Sequence, residues 1–151
     1  MSRDSIEALV HRYSDAVVHS NREQWANTWA VDATWDLGKG RRVEGRDAIL
    51  DMWITAMTRF DAVVQTVMNG SVDLDNDAGT GRWYIHELMQ RSSGERGLMV
   101  GHYDDHYVRT ADGWRFAERA LVQHYAGASD LSGTFRAADT SPADTTSTEE
   151  A

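Results

Sequence analysis

The sequence predicts an α+β domain, and three observations carry the prediction. Apolar residues at helical spacing open the chain. From Val63 onward the pattern becomes strand-like, and a short loop ending in Asp112-Gly113 joins two aromatic-rich runs in the manner of a β-hairpin. Helices first and then a meander of antiparallel strands is the order expected when helices pack on one face of a curved sheet.

Taken in order, Ile6, Leu9, Val10, Tyr13 and Val17 form one apolar stripe, so a first helix runs to about residue 19, with Asp4 or Ser5 as its N-cap. Residues 20–23 are polar and turn-like. Trp25 and Trp29, four apart, predict a short second helix over residues 24–30. Residues 34–37 read as a short strand closed by Gly38-Lys39-Gly40, with residues 41–44 as its hairpin partner. A third helix covers residues 47–59 on the stripe Ile49, Leu50, Trp53, Met57 and Phe60. Two strands, 63–74 and 80–91, flank a turn at residues 75–79, and the hairpin supplies two more at 98–109 and 114–125. One domain therefore spans residues 1–136. Residues 137–151 contain no large apolar side chain and are expected to be a disordered, acidic, Ser/Thr-rich tail, while Leu131 and Phe135 can still dock on the body.

Composition narrows the function. A net charge of −9, from 15 Lys+Arg against 24 Asp+Glu, argues against nucleic-acid binding, because neutralising phosphates needs a basic surface. No cysteine is present, which excludes disulfides, thiolate metal sites and cysteine nucleophiles. No apolar run is long enough to span a bilayer, and the N-terminus leads into an amphipathic pattern rather than a signal-peptide core. The expected location is cytoplasmic, without nucleic-acid or membrane partners.

Candidate reactive groups come from strand alternation. Strand 98–109 carries Tyr103, Asp105, Tyr107 and Arg109 on one face and His102, Asp104, His106 and Val108 on the other. Sequence alone leaves open which face is inner. With the aromatic face inward, Asp105 lies in an apolar wall, where desolvation raises its pKa and suits it to proton transfer. With the other face inward, His102 and, across the sheet, His86 are the reactive groups. On the neighbouring strand Trp83, Ile85, Glu87 and Met89 share a face, which makes Glu87 a second carboxylate on an apolar stripe. Two inward carboxylates suit acid–base work if their surroundings separate their pKa values. The plain alternative is that each pairs with Arg109, Arg115 or Arg119, or caps a tyrosine hydroxyl. Tyr13 continues the stripe of the first helix and can turn its hydroxyl into a pocket.

His102 and His106 point the same way but stand roughly 13 Å apart along a strand, too far to share a metal. His102 with His86 across the sheet remains open as a pair, but a surface or interface role for His102, Asp104 and His106 is favoured over ligation, and no metal is expected. No phosphate loop, nucleophile elbow or dinucleotide fingerprint occurs, and no cofactor is expected. Trp35, Trp53, Trp83 and Tyr107 are the aromatic candidates to line a pocket for a flat hydrophobic ligand.

Several motifs recur in a recognisable order. Arg12-Tyr-Ser-Asp15, Trp29-Ala-Val-Asp-Ala-Thr-Trp-Asp36, Val43-Glu-Gly-Arg-Asp-Ala-Ile49 and Gly101-His-Tyr-Asp-Asp-His-Tyr-Val-Arg109, followed by Asp112-Gly-Trp-Arg-Phe116, resemble the SnoaL-like branch of the nuclear transport factor 2 (NTF2)-like superfamily. The resemblance covers roughly residues 6–125. It implies an NTF2-like cone-shaped barrel, with a curved antiparallel sheet and N-terminal helices enclosing a pocket. Dehydratases, a dehydrochlorinase, isomerases, cyclases and non-catalytic proteins share that fold, so it does not select an activity. Scytalone dehydratase and hexachlorocyclohexane dehydrochlorinase use an aspartate after the first helix and a histidine base on a strand. Those positions fall on Asn21 and on Gln65, four before Asn69. An amide takes up no proton near neutral pH, so that pair cannot abstract one here; Asn21, Gln65 and Asn69 stay as substrate-binding candidates.

The expectation is a cofactor-independent enzyme doing acid–base chemistry, a dehydratase, isomerase or cyclase, on a small hydrophobic cyclic substrate. Asp105 is the principal proton-transfer group, Tyr103 or Tyr13 hydrogen-bonds the substrate oxygen, and Glu87 is the second carboxylate. The alternative is a non-catalytic ligand-binding or accessory protein on the same fold. Because a curved sheet leaves an outer face open, a homodimer is expected.

Overall fold

The computed structural model describes residues 3–135; the domain end expected at residue 136 and the tail beyond it lie outside the described residues. Helix α1, Arg3–His19, buries Ile6, Leu9, Val10, Tyr13 and Val17, the whole of its apolar stripe. The helix α2, Arg22–Ala26, is capped by Asn21, whose side chain accepts the Gln24 backbone N–H at 3.1 Å.

Helix α2 stops earlier than the Trp25/Trp29 spacing predicts. Trp29 instead opens strand β1, Trp29–Asp36, pairing in parallel with Phe116, while the Phe116 N–H donates to Thr28 O at 2.8 Å. Tertiary pairing overrides the local helical period. Both tryptophans are buried in either arrangement, so the spacing reported a core position correctly and its backbone conformation wrongly.

Strand β2 (Arg42–Glu44) closes against β1, and α3 (Arg46–Met57) follows Gly45, whose φ of 89° lies in the left-handed region that glycine tolerates. Four long strands come next: β3 (Phe60–Asp75), β4 (Ala78–Arg91), β5 (Arg96–Thr110) and β6 (Gly113–Gly127). The turn between β3 and β4 is tighter than expected, two residues with Asn76 at φ 54°. A short β7, Thr134–Phe135, pairs with β6 and brings the Phe135 and Tyr125 rings within 4.8 Å.

The sheet order is β2-β1-β6-β5-β4-β3, open and curved, and because β1 runs parallel to β6 it is mixed rather than purely antiparallel. Bulges between Val67 and Gly70 and between Val100 and Gly101 break the register and help the long strands bend. At the first of these, a Cβ on Gly70 would stand 2.4 Å from the Trp83 ring, so only glycine lets that indole lie over the strand.

The concave face and the helices enclose the core. Trp25 and Trp53 stack at 4.4 Å between centroids, and Trp29 and Trp35 meet Trp25 edge-on at 5.5 and 5.4 Å. This cluster joins α2, α3 and β1 into the wall that covers one side of the sheet. Among the described residues no helix is long and apolar enough to cross a membrane.

Candidate active site

Between the concave face and helices α1 and α3 lies a cavity of about 290 Å³. Its walls are apolar: Trp35 and Leu37 from β1, Trp53 and Met57 from α3, Val63, Met89, Met99 and Leu121 from the sheet. The buried end is polar, built from Tyr13, Gln65, Glu87 and Tyr103. The open end is formed by the turn between β4 and β5, where Arg91, Glu95 and Arg96 are exposed.

Each polar group reaches the cavity through the period of its own element. Tyr13 is part of the α1 stripe, and Glu87 and Tyr103 fall on the concave face by alternation. Gln65 sits directly across from Glu87 in the β3–β4 register. Its Nε2 donates to Glu87 Oε2 at 2.9 Å, and its Oε1 accepts from the buried Ser14 hydroxyl at 2.7 Å. Burial pushes the Glu87 carboxyl above its ordinary value of 4.5, and the Gln65 amide pulls it part of the way back. Glu87 Oε1 makes no hydrogen bond among the described residues. The Tyr13 and Tyr103 hydroxyls stand 3.4 Å apart, and burial raises both phenols, which therefore stay protonated and able to donate.

Asp105 also faces inward, as the aromatic alternation suggested, yet it does not line the cavity. Arg119, one of the three arginines named from sequence, holds it with Nε to Oδ1 at 2.8 Å and Nη2 to Oδ2 at 3.1 Å, and the Tyr107 hydroxyl donates to Oδ2 at 2.9 Å. The guanidinium is itself enclosed by aromatic rings, with Tyr103, Phe116 and Tyr13 centroids 3.8, 4.1 and 4.4 Å away. Burial raises the Asp105 carboxyl against the pull of Arg119, whereas desolvation of Arg119 is outweighed by Asp105 and that group is held above its usual value. The two directions favour opposite charge states for Asp105. With both carboxylate oxygens accepting from guanidinium N–H groups, the ionised pair is the form the geometry supports.

The remaining sequence candidates divide cleanly. Trp35, Trp53 and Gln65 line the cavity. Trp83 and Tyr107 are buried behind it, where Trp83 Nε1 donates to the Tyr107 hydroxyl at 3.0 Å, and Asn69 is exposed near the β3 bulge. Asn21 is occupied as the α2 cap. His86 is exposed on the convex face. His102 is on that face too, buried with Nδ1 against His124 Nε2 at 2.8 Å and Nε2 against Asp104 Oδ2 at 3.2 Å, and burial lowers its pKa. His86 lies opposite Val100 and His102 opposite Tyr84, so the two imidazoles are not a cross-strand pair. Neither lines the cavity, and the imidazole-inward alternative is thereby corrected. Ser14 was not singled out from sequence; its signal was a serine at the i+4 step from Val10 and three before Val17, inside the apolar stripe.

Two measurements follow from this geometry. Asp105→Asn should cost about 3–5 kcal/mol of stability in urea unfolding, because it leaves a buried guanidinium without its counter-charge. A carboxyl raised in the folded state stabilises the fold below its unfolded pKa, and that contribution is lost as pH rises through the folded value. The stability of the wild type relative to Glu87→Gln should therefore fall as pH climbs above about 4.5, the ordinary glutamate value. A difference that stays flat with pH would show that Glu87 titrates normally.

With the geometry in view, comparison with known proteins assigns the family. Residues 1–120 match the SnoaL-like domain. The uncharacterized protein Rv2910c of Mycobacterium tuberculosis is 27% identical over 120 residues, covering 78% of this chain and 82% of that one. A candidate scytalone dehydratase of Novosphingobium aromaticivorans superposes with a TM-score of 0.78 at 20% identity, covering 82% of this chain and 85% of that one. Hexachlorocyclohexane dehydrochlorinase LinA-type3 of Novosphingobium barchaimii gives 0.76 at 19% identity, covering 83% and 88%. At these identities the structural likeness speaks for the fold alone, whereas the domain match covers most of the sequence: this chain belongs to the SnoaL-like domain family.

Proposed function

We propose that this protein is a cofactor-independent enzyme that moves a proton on a small hydrophobic cyclic substrate, as a dehydratase, isomerase or cyclase does, and that Glu87 is its proton-transfer group. One observation carries the reading. A carboxylate with raised pKa, fixed by Gln65 through one oxygen, stands at the same end of an apolar cavity as two phenol donors. Asp105, the principal candidate from sequence, yields that role because Arg119 and Tyr107 occupy its carboxylate.

Glu87 takes a proton from a carbon next to a substrate carbonyl, and the electron pair moves onto the carbonyl oxygen. Tyr103 or Tyr13 donates a hydrogen bond to that oxygen and stabilises the developing charge. Return of the proton from Glu87 to another carbon completes an isomerisation; transfer of that proton to a β-hydroxyl, which leaves as water while the enolate electrons form the C=C bond and re-form the carbonyl, completes a dehydration. Trp35 and Trp53 flank a flat ring and exclude water, which strengthens each of these interactions. Dehydratase and dehydrochlorinase names among the structural neighbours agree with cofactor-free proton chemistry.

The second reading, a non-catalytic binding protein, draws its support from the amides at Asn21 and Gln65, the positions where the resemblance places an aspartate and a histidine. Deuterium exchange separates the two. In D₂O, wild-type protein should speed exchange at the α-carbon of 2-tetralone over buffer, and Glu87→Gln should lose on the order of 10²–10⁴ of that acceleration while still binding the ketone. Binding without any acceleration would favour the binding protein.

The convex face supports a partner as well. Val64, Leu88 and Leu98 lie side by side across β3, β4 and β5, and Leu88 is 55% exposed. A second copy covering this row makes a homodimer. Light scattering should then give a dimer for the wild type and a monomer for Leu88→Glu; a wild type that is monomeric at tens of micromolar removes the claim.

A further inference from the structure

The cavity has opposite charges at its two ends. Glu87 stands at the buried end, and two guanidinium groups, Arg91 and Arg96, stand at the mouth. Arg91 lies over the Phe60 ring, 5.1 Å from its centroid, and Phe60 itself lines the cavity. Its only carboxylate neighbour among the described residues is Glu95, at 4.0 Å, with side chains 44% and 75% exposed. A pair so long and so solvated leaves the guanidinium available. Arg96 donates from Nε to Gln90 Oε1 at 3.2 Å and forms no ion pair among the described residues. The mouth therefore carries two cations against one anion, in a chain whose net charge is −9.

We propose that the substrate is an anion, an aromatic or alicyclic carboxylic acid that enters with its ring foremost and keeps its carboxylate at the mouth against Arg91 and Arg96. This rests on the reading of the cavity as a substrate site and adds the substrate's chemical class. A neutral hydrophobic ligand would be served by an apolar rim. A carboxylate is repelled by Glu87 at the buried end and attracted by the guanidiniums at the open end, so the two charges set one direction of entry. Low-dielectric walls between them concentrate the field. Along β4, Glu87 and Arg91 are four residues apart, on the order of 13 Å. That separation places one or two rings between the carboxylate at the mouth and the reacting carbon at Glu87.

Calorimetric titration of the full chain with 2-naphthylacetate and with 2-naphthylacetamide, which differ in charge and little in shape, tests this directly. The acetate should bind about two- to five-fold more tightly at low salt. The advantage should shrink in 0.5 M NaCl and vanish in Arg91→Gln/Arg96→Gln, whose exposed substitutions leave the fold intact. Equal or tighter binding of the amide, an acetate preference that survives in the double variant, or no binding of either probe at millimolar concentration overturns the proposal. The acid–base reading is judged separately, by deuterium exchange in Glu87→Gln. An acetate preference with no exchange would leave an anion-binding protein, and exchange with no preference would leave an enzyme for neutral substrates.

Discussion

Asp105 and Arg119 face each other across β5 and β6, and much of the interior is arranged so that this pair can exist. Taking both charges out of water costs several kcal/mol per ion, about as much as a small domain can tolerate, unless hydrogen bonds and the surroundings compensate. Here two guanidinium N–H groups and the Tyr107 hydroxyl saturate the carboxylate. Arg119 Nη1 has no hydrogen-bond partner among the described residues, and three aromatic faces lie against the guanidinium. Since Tyr13 is on α1 and Tyr103 on β5, the cation ties the first helix to the sheet. It also fixes the two rings whose hydroxyls reach the polar end of the cavity. The pair does this from behind the cavity wall, without lining the cavity itself.

Helical and strand periodicities are the parts of the fold that sequence carries most openly. The α1 stripe is buried as its spacing requires, and the β5–β6 hairpin forms around its Asp-Gly turn, because both depend on neighbours within a few residues. The parallel pairing of β1 with β6 had no local signal. Trp29 meets Phe116, far away in sequence, and that pairing pulled a tryptophan out of an apparent helical repeat into a strand. Strand β7 is two residues long and pairs with the end of β6 at Tyr125 and Ala126.

The site was legible in the same uneven way. Alternation placed Tyr103, Asp105 and Glu87 on the concave face, and the structure puts them there. It could not tell depth along that face, and depth decides which side chains meet a ligand. Trp83 and Tyr107 share the face with Glu87 and Tyr103 but lie behind the cavity, under the Gly70 bulge and beside the ion pair. The resemblance in sequence points to Asn21 as a site residue; its capping role is itself written in the sequence, three residues before Gln24, and is the stronger physical claim on an asparagine there.

What separates the two inward carboxylates is the residue across the strand. Asp105 is opposite Arg119 on one side and Gly81 on the other. A guanidinium in direct register fits a carboxylate with two parallel N–H bonds, and the glycine leaves room for Tyr107 to reach in. Glu87 is opposite Gln65 and Met99. An amide can satisfy one oxygen without supplying charge, and a thioether satisfies neither, so Glu87 remains a desolvated carboxyl with one oxygen unengaged among the described residues. Position 65 is where the resemblance places a histidine base; with an amide there, the titratable group stands one strand over, and the amide turns into its holder. The same alternation that puts both acids on one face thus produces a bidentate ion pair at one and a desolvated carboxyl held by an amide at the other, and the difference is set by a cross-strand register that no single segment of the sequence contains.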